Sequence, residues 1–152
     1  MLAIARGESA VLPDAQPPAL GIPGGGYGWI LGQFAALGRT EVVRALLDGG
    51  MAVGTRGWSG FTPLHQAAIS GRVATVRLLL SRGADVDDAA FDDAGPTPLD
   101  CAIWGLRNSR AADGDYRATA EALLSAGAPT GHEPPTGDDA IDALLRSGRP
   151  RQ

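Results

Sequence analysis

Two histidines, one cysteine and a group of aspartates are the residues of this 152-residue chain with reactive side chains. His65 has the side chain of a general base. Cys101 has that of a nucleophile, but no histidine close in sequence stands ready to take its proton. His132 lies in a Pro-rich stretch with no recognisable context. One Cys and two distant His make no metal-ligand spacing. Asp85-x-Asp87-Asp88 lacks the Gly and distal Glu of a calcium loop. Gly24-Gly25-Gly26-Tyr27-Gly28 lacks the Lys and Ser/Thr of a phosphate-binding loop and reads as a flexible lead-in. The expectation is a chain without catalysis, metal or cofactor.

The elements that carry these residues are periodic. In the segment Thr62-Pro63-Leu64-His65-Gln66-Ala67-Ala68-Ile69-Ser70-Gly71-Arg72, Thr62 suits a helix cap and Pro63 the first helical position. Leu64, Ala67 and Ala68 share one face, and two small alanines let a second helix come close. Gly71 can take the left-handed conformation that ends a helix. Val76, Leu79 and Leu80 form the stripe of a second helix, and Gly83 ends it. Upstream, Leu31, Gly38, Val43, Leu46, Leu47, Gly50 and Val53 repeat the pattern at an offset of 33 residues, with Trp29-Ile30 in place of Thr-Pro. Downstream, Thr97-Pro98-Leu99-Asp100-Cys101-Ala102 repeats it at an offset of 35, and Leu123-Leu124 with Gly127-Ala128 at an offset of 44. Nine extra residues therefore separate the two helices of the third unit. There Leu106, Arg107 and Arg110 are expected to lengthen the first helix. Asp113-Gly114-Asp115 are expected to turn the chain and cap the second. Thr97-x-x-Asp100 has the spacing of a capping box.

The Thr-Pro-Leu-His opening, the Gly after the first helix, and the Leu-Leu then Gly-Ala-Asp close resemble the ankyrin repeat. The resemblance implies an all-α fold: an ankyrin-repeat solenoid of stacked antiparallel helix pairs with projecting hairpin loops. The organisation read from it is an irregular arm at 1–26, repeats at 27–59, 60–94 and 95–128, and a Pro/Gly link with a capping helix at 129–152. The arm is expected to rest on the first repeat through Leu20 and Ile22. Ile141, Leu144 and Leu145 of the last helix are expected to cover the open end of the stack. The resemblance also implies a structural role for His65, bonded to the preceding Thr and tying neighbouring loops together.

Binding in this family is implied on the concave side. The corresponding first-helix columns are Gln33, Ala36 and Leu37; Gln66, Ile69 and Ser70; and Cys101, Trp104 and Gly105. The hairpin tips add Arg56, Trp58, Phe61, Phe91, Asp92 and Asp93. Trp58, Phe61, Ile69, Phe91 and Trp104 would form an apolar, aromatic strip of the kind that interface hot spots favour. Phe91 and Trp104 read equally well as filling for the longer hairpin and the longer third repeat. Asp100, Cys101, Arg107, Asn108, Asp115 and Tyr116 are candidates to hold a small ligand, and the last four of these also read as a brace for the long loop.

Composition narrows the class. The net charge is −4, all 13 basic residues are Arg, and aromatics are 5%, so nucleic acid is not an expected partner and any core is mainly aliphatic. The Arg-only usage points to a GC-rich bacterial source. A single cysteine cannot form an internal disulfide, no apolar run reaches membrane-spanning length, and a basic leader segment is missing, so the cytoplasm is expected. The favoured function is a protein-interaction module, monomeric, whose partner is another protein, with a basic one suited to Asp85, Asp87, Asp88, Asp92 and Asp93. Two rivals are a small-molecule binder or unusual enzyme using Trp58, Asp100 and Trp104, and a structural protein that self-associates.

Overall fold

The structure, a computed structural model, describes residues 28–57, 60–91, 95–108, 111–129, 136 and 138–147. Among these residues the regular secondary structure is helical, with no strand. The helices are α1 (Gly28–Ala36), α2 (Thr40–Asp48), α3 (Pro63–Ile69), α4 (Val73–Ser81), α5 (Pro98–Arg107), α6 (Tyr116–Ser125) and α7 (Asp139–Ser147).

Each odd helix pairs with the next even one, and like helices stack on like. α1, α3 and α5 form one layer, α2, α4 and α6 the other, and α7 packs on α6. The core follows the repeat register. Leu31, Leu64 and Leu99 are buried in one column, Val43, Val76 and Ala120 in another. Ala67, Ala68 and Ala102 are buried between them, where small side chains permit close helices. The solenoid implied by the sequence is the observed architecture.

The helix starts are as the residue types require. Thr62 caps α3 by accepting from the His65 N–H (3.4 Å), and Thr97 caps α5 by accepting from Asp100 (3.3 Å). The side chain of Asp100 reaches back to the Thr97 N–H (2.7 Å), closing the expected capping box. Asp115 caps α6 through the Ala118 N–H (3.0 Å), also as expected. α5 has 10 residues against 7 in α3, so part of the insertion lengthens this helix.

The remaining insertion folds back as a clasp on the second repeat. Gly71, at φ +63, offers its carbonyl to the Asp115 N–H (2.9 Å). A Cβ there would stand 2.9 Å from the Gly114 Cα, so glycine is needed for both shape and space. The Tyr116 hydroxyl donates to the Ile69 carbonyl (3.2 Å) and accepts from the Ala111 N–H (2.9 Å). Arg72 spans all three repeats, donating from Nε to the Ala36 carbonyl (3.0 Å) and from a terminal nitrogen to Asp113 (2.8 Å).

At the end of the stack, α7 buries Ile141 and Leu145 and leaves Leu144 half-buried. The expected arm, with Leu20 and Ile22, the Gly24–Gly26 run, Arg110 and His132 lie outside the described residues.

Candidate functional site: an apolar hollow between the second and third repeats

The 35-residue offset places equivalent residues of two repeats side by side. Phe61 and Pro96 are one such pair, Ile69 and Trp104 another. With Asp100, Cys101, Ile103 and Arg107 they line a hollow of about 480 Å³, whose surface is predominantly apolar. α3 supplies Ile69. α5 supplies five residues from Asp100 to Arg107, and the hairpins supply Phe61 and Pro96.

The hairpin positions are fixed by hydrogen bonds. The Pro96 carbonyl accepts from the Ala90 N–H (3.0 Å) and from His65 Nε2 (3.0 Å). His65 Nδ1 faces the Thr62 N–H (3.2 Å) and hydroxyl (2.7 Å). A donor faces Nδ1 and a carbonyl faces Nε2, so the ring is the neutral Nε2–H tautomer. Burial holds its pKa below the ordinary histidine value of 6.5, despite the opposing hydrogen bond to Pro96. His65 thus ties two hairpins together, the structural role implied by the resemblance.

Phe91 stands beside the hollow. It is 53% exposed and rests edge-on against Phe61, with ring centroids 5.4 Å apart. Its backbone has φ +55, a left-handed conformation that costs a bulky residue about 1–2 kcal/mol. Trp104, on α5, is 47% exposed. Two large aromatics thus meet solvent, one a lining residue and the other packed on one.

Several expected columns differ in exposure. Cys101, expected to be exposed, is 3% exposed at the floor of the hollow, lined also by the larger Trp104 and Arg107. Burial, with the nearby Asp100 charge, pushes its thiol up to about 12. It is therefore protonated at neutral pH and a poor nucleophile. Ser70 and Gly105 are buried as well, because the clasp covers them; Gly105 lies under the Ile69 carbonyl and the Tyr116 ring. Gln66 is half-buried.

The polar residues are engaged in holding the fold. Asn108 Nδ2 donates to the Trp104 carbonyl (2.8 Å), and Asp115 and Tyr116 serve the clasp. Arg107 Nε donates to the Thr136 carbonyl (2.8 Å). Of the polar candidates, only Asp100 and Arg107 line the hollow with Cys101. Arg56 pairs with Asp88 and donates to the Gly60 carbonyl (2.8 Å), joining successive hairpins. Asp85 accepts from the Asp87 N–H (2.9 Å) in a local turn. Trp58, Asp92 and Asp93 lie outside the described residues. Pro96 and Ile103 were not among the sequence candidates. Pro96 is legible once Phe61 is carried forward by one offset, whereas Ile103 sits in the register of buried Ala68.

Fold and site together define a class: a short solenoid of helix pairs with an apolar hollow on the layer of first helices. Residues 27–90 match the family model for ankyrin repeats in three copies, and the fold is an ankyrin-repeat solenoid. The chain is 41% identical over 88 residues to the ankyrin repeat and KH domain-containing protein mask of Drosophila melanogaster. That match covers 58% of this chain and 2% of the relative. An ankyrin repeat-containing protein of Schizosaccharomyces pombe is 35% identical over 65 residues, covering 43% of this chain and 30% of the relative. The chain thus spans a small part of the relatives it matches. The crystal structure of the human ASB11 ankyrin repeat domain superposes with a TM-score of 0.63 at 25% identity, covering 78% of this chain and 53% of that domain. Ankyrin repeats generally bind other proteins and act as non-catalytic scaffolds. No helix among the described residues is long and apolar enough to cross a membrane.

Proposed function

We propose that this chain is a non-catalytic docking module that holds a segment of a partner protein on its concave face. One observation carries the reading: an apolar hollow of about 480 Å³ with Trp104 on its wall and exposed Phe91 packed on lining Phe61. Exposed aromatics beside a preformed apolar recess are what an incoming bulky side chain buries most favourably. The strained backbone at Phe91 supports the same reading, because strain persists where the exposed ring has a use. The partner segment presents an apolar anchor, and the net charge of −4 favours basic residues around that anchor. A lone molecule of the chain suffices for this binding.

The test compares capture by the wild type and by a Phe91→Ala/Trp104→Ala variant shown by circular dichroism to be folded. Loss of two central aromatics is expected to weaken a specific partner about thirtyfold or more. A partner retained equally by both proteins would refute docking on the hollow. The hollow's volume also falls within the range of small-ligand pockets, about 300–1,000 Å³. An apolar small molecule is therefore the second reading, and thermal stabilisation of the wild type but not the variant by such a compound would support it.

A further inference from the structure

Arg107 belongs to the wall of the hollow, yet it is bound to the far end of the molecule. Its Nε donates to the Thr136 carbonyl at 2.8 Å, across 29 positions of sequence. Thr136 is 1% exposed and donates twice to the same oxygen of Asp142, from its N–H (2.7 Å) and its hydroxyl (2.7 Å). Asp142 is 5% exposed and lies on α7, beside the buried Ile141 that seats the helix. The three residues form one unbroken chain from the hollow to the terminal cap. The two donations from Thr136 hold its peptide while its carbonyl serves Arg107. Hydrogen bonds to an ionised carboxylate are the stronger kind, and these hold Asp142 below the usual carboxylate range. A second tie, Arg117 to Asp138 (3.2 Å), joins α6 to the start of α7 without touching the hollow.

We propose that the C-terminal cap and the hollow are coupled through Arg107, Thr136 and Asp142, so that loosening α7 opens the hollow and an occupant that displaces Arg107 loosens α7. Coupling between sites is reciprocal by linkage. The biological use of this coupling rests on the docking reading above; the coupling itself does not require a partner. Asp142 acts here as a positioning residue, through Thr136 and Arg107.

Cys101 reports on the hollow, because it is the only cysteine and lines the floor. Its alkylation by iodoacetamide at pH 9 is measured in the full chain for the wild type, Asp142→Ala, Arg107→Met, the double variant and Arg117→Ala, each with its urea midpoint. Each of the first two substitutions is expected to raise the native rate about fivefold or more, the double variant no further than the larger single effect, and Arg117→Ala not at all. Thr136→Val, which keeps the N–H and carbonyl and loses one of the two bonds to Asp142, replaces Asp142→Ala if that variant does not fold, with a smaller rise in the same direction. Effects that multiply in the double variant would overturn the proposal. So would wild-type rates in the single variants, or rates that follow the urea midpoint across all variants including Arg117→Ala. The rate needs no partner, so a failed capture experiment leaves the coupling intact, and a failed coupling leaves the docking reading intact.

Discussion

Replacing Gly105 by alanine reverses the sign that helix propensity alone predicts. Within a helix, alanine is favoured over glycine by about 1 kcal/mol. Gly105 lies inside α5, but a Cβ there would stand 2.3 Å from the Ile69 carbonyl oxygen and 2.6 Å from Tyr116 Cε1. Ordinary carbon contacts need roughly 3.5–4.0 Å, so the neighbours would have to retreat by about an ångström. Neither can do so alone. Ile69 ends α3, and the Tyr116 hydroxyl is fixed by bonds to the Ile69 carbonyl (3.2 Å) and the Ala111 N–H (2.9 Å). Overpacking against anchored groups costs about 3 kcal/mol or more, and loss of the tyrosine bonds adds about 1 kcal/mol each. After the propensity gain, Gly105→Ala is expected to destabilise by about 2–4 kcal/mol. Urea unfolding at 25 °C, followed by circular dichroism, reads this as a fall in midpoint of about 1–2 M. Gly54→Ala is the matched control, because a Cβ there meets nothing within 4 Å; it is expected to be neutral or stabilising by up to about 1 kcal/mol. A Gly105→Ala protein as stable as the wild type would refute the close approach of α3 and α5 that builds the floor of the hollow.

Two further predictions concern titrating groups. The folded pKa of His65 lies below 6.5, so below pH 6.5 the unfolded chain takes up a proton that the folded chain refuses. Stability from this group is fully present above pH 6.5 and is lost as pH falls below it. The urea midpoint should therefore drop between pH 7.5 and pH 5.5 in the wild type and change less in His65→Asn; equal slopes would contradict the buried neutral imidazole. Raising the Cys101 thiol from 9.0 to about 12 leaves about a thousandfold less thiolate at a given pH. Alkylation of the native chain at pH 8.5 should be slower than that of the urea-unfolded chain by about this factor, and comparable rates would contradict the burial.

Much of the fold was legible because it is written locally and then repeated. Thr62 and Thr97 announce helix starts by chemistry confined to four residues, and the offsets of 33 and 35 align the leucines that bury one another. The structural role of His65 followed from the same motif; its neutral state did not. The clasp was only half legible. Its cap at Asp115 is a local device, but the reach of Tyr116 to Ile69, 47 positions away, depends on the missing side chain at Gly105. Nothing in the periodicity marks that vacancy. Cys101 was misplaced for a related reason: register gives the column a residue occupies, not the size of the neighbours that close over it. The bond from Arg107 to Thr136 crosses the Pro/Gly link, whose path no repeat pattern specifies.

Amide chemical-shift mapping reads docking on the hollow residue by residue. The 15N-labelled chain would be titrated with the partner segment isolated by capture. The largest changes are expected on Phe61, Ile69, Ile103 and the Trp104 indole, with α4 and the outer face of α6 unmoved. Changes centred on Arg77, Glu121 and Ser125 of those second helices would contradict docking on the hollow.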